Sequence, residues 1–243
     1  DLMIWESALA DALPPDIPRP GPALPAPPPL KRAPPPPPLV LAEDFHAGVE
    51  EARERNCVVL LSLHLDTCGQ CDRCREQLLT DPALVRHLNK ACVTVMGQEP
   101  GDAGPHPHPP LPDGSCPLFQ GLSCAAHEAV FREALTAVRH FVVSPGNFIL
   151  TPHARAGAEP EDWILVPELA LPKNGEGAAA CLDTLKQAQA RLGPSLTRGE
   201  HAAIWGAMDA VMEGKAGAKA ALETLLEGKD PRIPLVKEAR ALP

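Results

Sequence analysis

A Cys-x-x-Cys turn that follows an apolar run constrains this chain more than any other feature. The run at 57–63, Cys-Val-Val-Leu-Leu-Ser-Leu, is rich enough in Val and Leu to predict a buried strand. The turn, Cys68-Gly69-Gln70-Cys71, comes next, and a helical pattern begins there. A cysteine at a helix N-terminus is favoured as the thiolate, because unpaired N–H groups and the helix dipole stabilise negative charge. The sequence therefore predicts a strand, an exposed nucleophilic Cys68, and a helix that carries a more buried Cys71.

Strand and helix patterns alternate on both sides of this turn. A helical pattern precedes it, with Phe45, Val49 and Ala52 spaced for one face. Asp81-Pro82 is typical of an N-cap followed by the first residue of a helix. The other predicted elements are a strand at 91–96, a helix at 124–139, strands at 140–144, 147–151 and 162–166, and a helix at 177–192 that ends at Gly193-Pro194. This order predicts an α/β fold with a mixed sheet flanked by helices.

The two ends of the chain differ in composition from its centre. Fourteen of the 31 prolines lie in the first 40 residues, which favours an extended arm. The last 49 residues are helical in pattern but too few to count on a core of their own. We therefore expect a proline-rich arm or linker at 1–40, an α/β domain at 41–194 with an inserted loop at 98–117, and a helical extension at 195–243. The arm and the extension are the parts expected to contact a stable partner protein, and the extension can also pack on the domain.

Charge and hydropathy exclude two classes of protein. The formal net charge is −9 and no basic stripe alternates with aromatic residues, so binding to nucleic acid is not expected. No run of about 18 apolar residues is present, so the chain as given is not expected to span a membrane. The chain begins at Asp1 without Met, which suggests a processed or partial product. A periplasmic or other extracytoplasmic location is favoured, with the cytoplasm as the alternative.

The pattern around the turn resembles a known family. A strand, a Cys-x-x-Cys, an Asp81-Pro82 pair and a later Ser144-Pro145 before another strand together resemble the thioredoxin-like superfamily. The resemblance is to the bacterial thioredoxin_7 branch, which includes the C-terminal domain of the DsbD transporter. The residues that meet the layout of that branch are Val49, Ala52, Val58 to Leu61, Cys68, Cys71, Asp81, Pro82, Leu84, Leu88, Val93 and Val95.

The resemblance implies a thiol–disulfide oxidoreductase that acts on protein cysteines and uses no cofactor beyond its own redox-active disulfide. It implies that Pro145 is cis and that the backbone of Ser144 meets the incoming substrate cysteine. Thr67, Gly69 and Gln70 would then also lie against the substrate. Three departures are visible: Thr67 stands where Trp is common, Gly-Gln replaces Gly-Pro, and Cys71 lies 74 residues before Pro145.

A third nearby cysteine leaves a metal site open as an alternative. Cys68, Cys71 and Cys74 also match the start of a ferredoxin motif, so an iron–sulfur cluster or a zinc ion is conceivable. Cys116, or His106 and His108 of the inserted loop, would then supply a further ligand. A regular helix separates the first and third cysteines by about 9 Å along its axis, which argues against convergence on one ion. A non-catalytic subunit or assembly factor built on the same fold is another alternative.

The remaining cysteines fall into two groups. Cys116 and Cys124 flank a short segment beside the inserted loop and are candidates for a second disulfide that pins this loop, or for a pair that passes electrons to Cys68. Cys57, Cys92 and Cys181 lie singly in apolar elements and are expected to be small buried hydrophobic residues.

Overall fold

A computed structural model describes residues 37–65, 68–99, 110–119, 121–138, 146–151 and 177–243, without a few side chains in the helices, among them those of Gln70 and Cys74. Predictions about other residues lie outside this part of the chain. They concern the arm up to residue 36, residues 100–109 of the inserted loop, the strands at 140–144 and 162–166, and Thr67, Ser144 and Pro145.

The described part of the chain contains eight helices and three strands. The helices are α1 (Phe45–Arg55), α2 (Gly69–Thr80), α3 (Pro82–Ala91), α4 (Cys124–Val138), α5 (Gly177–Leu192), α6 (Arg198–Met212), α7 (Ala218–Leu226) and α8 (Pro234–Arg240). The strands are β1 (Val59–His64), β2 (Val93–Gln98) and β3 (Asn147–Leu150). Asp81 caps α3 as predicted, because its carboxylate accepts the Leu84 N–H at 2.7 Å.

The three strands form one mixed sheet in the order β2-β1-β3. β1 pairs in parallel with β2, starting with Val59 opposite Val93, and antiparallel with β3, where Val59 faces Leu150. Ser62 faces Asn147 in the antiparallel ladder. The predicted α/β fold, a mixed sheet flanked by helices, is therefore confirmed.

Side chains of the strands enter two hydrophobic clusters. Leu60 and Ile149 pack with apolar residues of α2, α3 and α5. Val59, Leu61 and Val95 pack with apolar residues of α1 and α4. All six residues of β1 are buried, which explains why its sequence is a nearly continuous apolar run and not an alternating one.

Helix α4 lies directly on β2 at a glycine. An ideal Cβ at Gly97 would come within 2.6 Å of the Phe131 backbone nitrogen, closer than real Cβ contacts. The absence of a side chain at Gly97 thus lets the backbone of α4 approach the sheet. Gln98 still pairs with β1, so the irregular segment begins one residue later than predicted.

The C-terminal helices α6, α7 and α8 share a hydrophobic cluster of their own. Its members are Leu196, Ile204, Met208, Leu222, Leu226, Ile233, Leu235, Val236 and Ala239. Three helices and the turns between them thus enclose one apolar centre, although 49 residues are too few to count on such a core from the sequence. Met212, the last residue of α6, points away from this centre and is 62% exposed. In the described residues no helix has the length and apolar character needed to cross a membrane.

Buried Arg55 joins this segment to the sheet domain. Its guanidinium donates to the backbone oxygens of Leu196, Cys92 and Lys90 and to the Glu51 carboxylate, at 2.6–3.2 Å. The side chain is fully buried, so these partners replace the water that it gave up. A second polar contact joins α1 to α6: the Glu54 carboxylate accepts from His201 and Trp205 at 2.7 and 3.0 Å. The extension therefore packs on α1.

Candidate functional site

Cys68 and Cys71 lie where β1 leads into α2. Because α2 begins at Gly69, Cys68 immediately precedes the helix, and its side chain is half-buried. The backbone N–H of Cys71 donates a hydrogen bond to Cys68 Sγ across 3.3 Å. N–H groups in the first turn of a helix have no acceptor within the helix. This bond uses one of them to stabilise negative charge on the Cys68 sulfur.

Cys71 is half-buried like Cys68, so the predicted contrast between an exposed Cys68 and a more buried Cys71 is not seen. Burial, and after it a hydrogen bond from the Cys71 thiol to Cys68, raise the pKa of Cys71 to about 11. Cys71 is therefore a neutral thiol near pH 7, and its S–H is directed at the Cys68 sulfur. The pair thus consists of one sulfur that accepts two hydrogen bonds and one that holds its proton.

A buried polar chain lies beside this pair. His64, the last residue of β1, contacts Ser62 Oγ through Nε2 at 2.8 Å, and Ser62 Oγ donates to Asn147 Oδ1 at 2.5 Å. Burial, followed by the nearby charge of Arg75, lowers the pKa of His64 to about 4, against a smaller opposing effect of the Cys71 backbone. His64 is therefore a neutral imidazole at pH 7, next to the helix that carries the cysteines.

A second cluster is formed by Cys116, Cys124 and His127. One ligand atom from each, two sulfurs and a ring nitrogen, all lie within 4.8 Å of one another. Cys116 and His127 are fully buried, and Cys124 is half-buried. Burial and a hydrogen bond to Cys116 raise the pKa of Cys124 to about 11. In the part of the chain that the structure describes, no other group of three such side chains converges in this way.

The local sequence explains how this cluster forms. Cys124 is the first residue of α4 and His127 lies three positions later, so both side chains are on one face of the helix. Cys116 reaches them from a short loop that closes on itself, since its N–H donates to the Leu122 oxygen at 2.6 Å. The N–H of Leu118 donates to Cys116 Sγ at 3.4 Å.

Phe119 links the two clusters. Its ring centroid lies 4.5 Å from that of His127 and 5.9 Å from that of His64. The Arg75 guanidinium of α2 lies 5.6 Å from the same centroid. Phe119 is fully buried, and its ring packs against His127 of the second cluster and lies near His64 and Arg75, which neighbour the Cys68–Cys71 pair.

The structure brings together some of the predicted site residues and leaves others untested. Cys68 and Cys71 lie side by side, with an exposed Gly69 after Cys68, and Cys116 lies beside Cys124. All four carry thiols in this structure, so the second disulfide stays a prediction. The backbone of α2 continues as a regular helix past Cys74. His106 and His108, and the substrate-facing residues Thr67, Ser144 and Pro145, lie outside the described residues.

Sequence reasoning missed three functional candidates. His127 of α4 is fully buried, whereas its apolar neighbour Ala126 is only half-buried. The signal that could have found His127 is its spacing, three residues after Cys124 at a helix start. Phe119 and Arg75 carried no such signal, because their roles depend on contacts between distant segments.

The three isolated cysteines behave as predicted. Cys57, Cys92 and Cys181 are buried in the cores around the sheet. Burial raises the pKa of Cys57 to about 12 and that of Cys92 further still. These thiols are therefore small apolar groups at neutral pH.

Comparison with known proteins finds similarity to a solved structure. No protein-family model matches the chain, and no curated protein matches it. The solution structure of a thioredoxin from Thermus thermophilus is similar to it, with 18% sequence identity and a TM-score of 0.37. The similarity covers 62% of this chain and 87% of the thioredoxin.

Proposed function

We propose that this protein is a thiol–disulfide oxidoreductase that acts on protein cysteines through Cys68 and Cys71. The observation that supports it most is the asymmetry of the pair. Cys68 Sγ accepts both the Cys71 N–H and the Cys71 thiol, and Cys71 keeps its proton near pH 7. Disulfide exchange needs one sulfur that attacks and a second that waits to resolve the intermediate.

The reductive direction can be written with each electron pair placed. The Cys68 thiolate attacks one sulfur of a substrate disulfide, and the other substrate sulfur leaves as a thiolate. The Cys71 thiol then gives its proton to that departing thiolate and attacks Cys68 Sγ, which releases the second substrate thiolate. The substrate gains two electrons, and the protein ends as a Cys68–Cys71 disulfide. A dithiol donor returns it to the reduced form, and the reverse sequence oxidises a substrate dithiol.

The remaining parts of this proposal concern substrate contact. Thr67, Gly69 and Gln70 would line the approach to Cys68, with the Ser144 backbone and a cis Pro145 opposite. The substrate would be a protein thiol or disulfide, and segments 1–40 and 195–243 would hold any stable partner. No metal or other cofactor is needed for this chemistry, since the cysteine pair itself carries the electrons.

Trapping of the intermediate tests the proposal. In the full chain, Cys71→Ser is expected to accumulate a mixed disulfide between Cys68 and a chain of insulin, because the thiol that would resolve this bond is absent. Cys68→Ser is expected to trap no mixed disulfide and to give no acceleration of insulin reduction by dithiothreitol. Cys181→Ala, which removes a buried thiol of α5, is the matched control and keeps wild-type activity.

The opposite results would refute the enzyme. If wild-type protein does not accelerate insulin reduction above background and Cys71→Ser traps no mixed disulfide, the chain is not an oxidoreductase. A scaffold subunit would then be favoured, particularly if the Cys68→Ser, Cys71→Ser double variant still purifies with a stable partner.

A further inference from the structure

The cluster of Cys116, Cys124 and His127 takes no part in the proposed redox reaction. It offers two sulfurs and one imidazole nitrogen from a loop and a helix start, all within 4.8 Å. We propose that these three residues bind a thiophilic divalent metal ion of the zinc class. This site is independent of the proposed exchange at Cys68 and Cys71.

The donor set and spacing suit zinc. Zinc binds cysteine sulfur at about 2.3 Å and histidine nitrogen at about 2.0–2.1 Å, in tetrahedral geometry. Ligand atoms around such an ion are about 3.5–3.8 Å apart. The three atoms, within 4.8 Å of one another, therefore need to approach by about 1.3 Å at most, which side-chain rotation supplies. Two thiolates and one imidazole leave a fourth position, which water can fill from the half-buried side of Cys124.

Two backbone features stabilise negative charge at these cysteines and oppose the burial that raises the pKa of Cys124. The Leu118 N–H donates to Cys116 Sγ at 3.4 Å, an arrangement that stabilises negative charge on a buried sulfur. Cys124 is the first residue of the fifteen-residue helix α4, so the positive end of the helix dipole lies beside its sulfur. A metal ion would displace the two thiol protons and take over their role in holding the sulfurs together.

The surroundings orient the histidine and restrict water. The Phe119 ring packs against His127 with centroids 4.5 Å apart and an interplanar angle of 38°. His127 and Cys116 are fully buried, so two of the three ligands lie in a dry pocket. Such a shell fixes the direction of the imidazole and strengthens a metal–ligand bond. The bound ion would pin the loop at 116–122 to α4, the same task that a Cys116–Cys124 disulfide would perform.

Metal titration of the full chain tests this site. We would reduce the protein, remove metal with a chelator, and add Co²⁺ alone, which gives visible absorption when bound tetrahedrally by thiolates. One equivalent is expected to bind and to be displaced by one equivalent of Zn²⁺. Cys116→Ser, Cys124→Ser and His127→Gln are each expected to weaken binding by more than about 100-fold, because each removes a direct ligand. The Cys68→Ser, Cys71→Ser double variant is the control and should bind as wild type does.

A footprint on the unchanged chain avoids the problem of variants that fail to fold. Saturating Zn²⁺ should slow iodoacetamide labelling of Cys116 and Cys124, and chelator should restore it, while labelling of Cys68 stays the same. Two results would overturn the proposal. One is that fully reduced protein binds no stoichiometric Co²⁺. The other is that the Cys68→Ser, Cys71→Ser double variant fails to bind Co²⁺ while Cys116→Ser and Cys124→Ser still bind it. Retained insulin reduction in either case would leave the redox proposal standing.

Discussion

The ring of Phe119 lies against the ring of His127, with their centroids 4.5 Å apart. The Phe119 ring also lies near His64, the last residue of β1, and near Arg75 of α2, the helix that carries Cys71. One buried side chain thus contacts a ligand of the proposed metal site and lies near two residues that neighbour the proposed redox site. A substitution at Phe119 is therefore expected to lower metal affinity as well as stability, whereas substitutions elsewhere in the core lower stability only.

Phe119→Leu tests this connection. The variant keeps an apolar side chain but loses the aromatic contacts, so we expect a loss of about 1–3 kcal/mol in the free energy of unfolding. Co²⁺ affinity should fall about 10-fold or more, because His127 loses the ring that orients it. Phe45→Leu, at another fully buried phenylalanine, is the control: it should lower stability similarly and leave Co²⁺ affinity unchanged. Equal Co²⁺ affinity in both variants would show that Phe119 does not orient the ligand.

Gly97→Ala tests how α4 is seated on the sheet. The new Cβ would come within 2.6 Å of the Phe131 backbone nitrogen, so strand and helix must separate. We expect a loss of about 1–3 kcal/mol in the free energy of unfolding, measured by urea denaturation. Gly206→Ala in α6 is the matched control, since nothing lies within 4 Å of its added Cβ. That change should stabilise the protein by up to about 1 kcal/mol, because alanine favours a helix over glycine.

Arg55→Met tests the buried connection between the C-terminal segment and α1. The substitution leaves backbone oxygens of Leu196, Cys92 and Lys90 without their donor, and we expect a loss of about 3 kcal/mol in the free energy of unfolding. Arg53→Met, which breaks the exposed pair with Glu50, should cost less than about 1 kcal/mol. Comparable losses in the two variants would contradict the role given to Arg55.

His64 makes stability depend on pH in a defined window. Above about pH 6.5 the imidazole is neutral in both the folded and the unfolded chain and has no effect. Below about pH 6.5 the His64 imidazole is protonated in the unfolded chain, but in the folded chain it stays neutral down to about pH 4. The free energy of unfolding therefore falls as the pH falls. The total loss from this group is about 3 kcal/mol. In urea denaturation at pH 7, 5.5 and 4.5, His64→Gln should show a shallower decline than wild type, and equal declines would contradict the assignment.

The parts of the fold that sequence predicts are those fixed by local chemistry. Asp81 caps its helix through a contact three residues away, and the helix at 177–192 ends at Gly193, whose φ is +98°. These features need no knowledge of distant segments. The position of Cys68 before a helix was predictable for the same reason.

The parts that sequence does not predict depend on contacts across the fold. A basic residue in the last turn of a helix, as Arg55 is, would ordinarily be expected in solvent. Arg55 is instead fully buried, and it donates to the backbone oxygen of Leu196, 141 residues later in the chain. His127 is polar, and its local sequence gives no sign of burial, but the side chain is fully buried against Phe119. Gly97 is an ordinary strand glycine in the sequence, and only the packing of α4 gives it a role.

The reactivity of the two cysteines at α2 tests the central proposal most directly. At pH 7 a Cys71 thiol with a pKa of about 11 is ionised in only about one molecule in 10⁴, whereas Cys68 Sγ accepts two hydrogen bonds that favour its thiolate. Labelling of the reduced full chain with iodoacetamide, followed by mass spectrometry of the peptides, should show Cys68 modified at least about 10-fold faster than Cys71. Equal rates, or faster modification of Cys71, would contradict the assignment of Cys68 as the nucleophile.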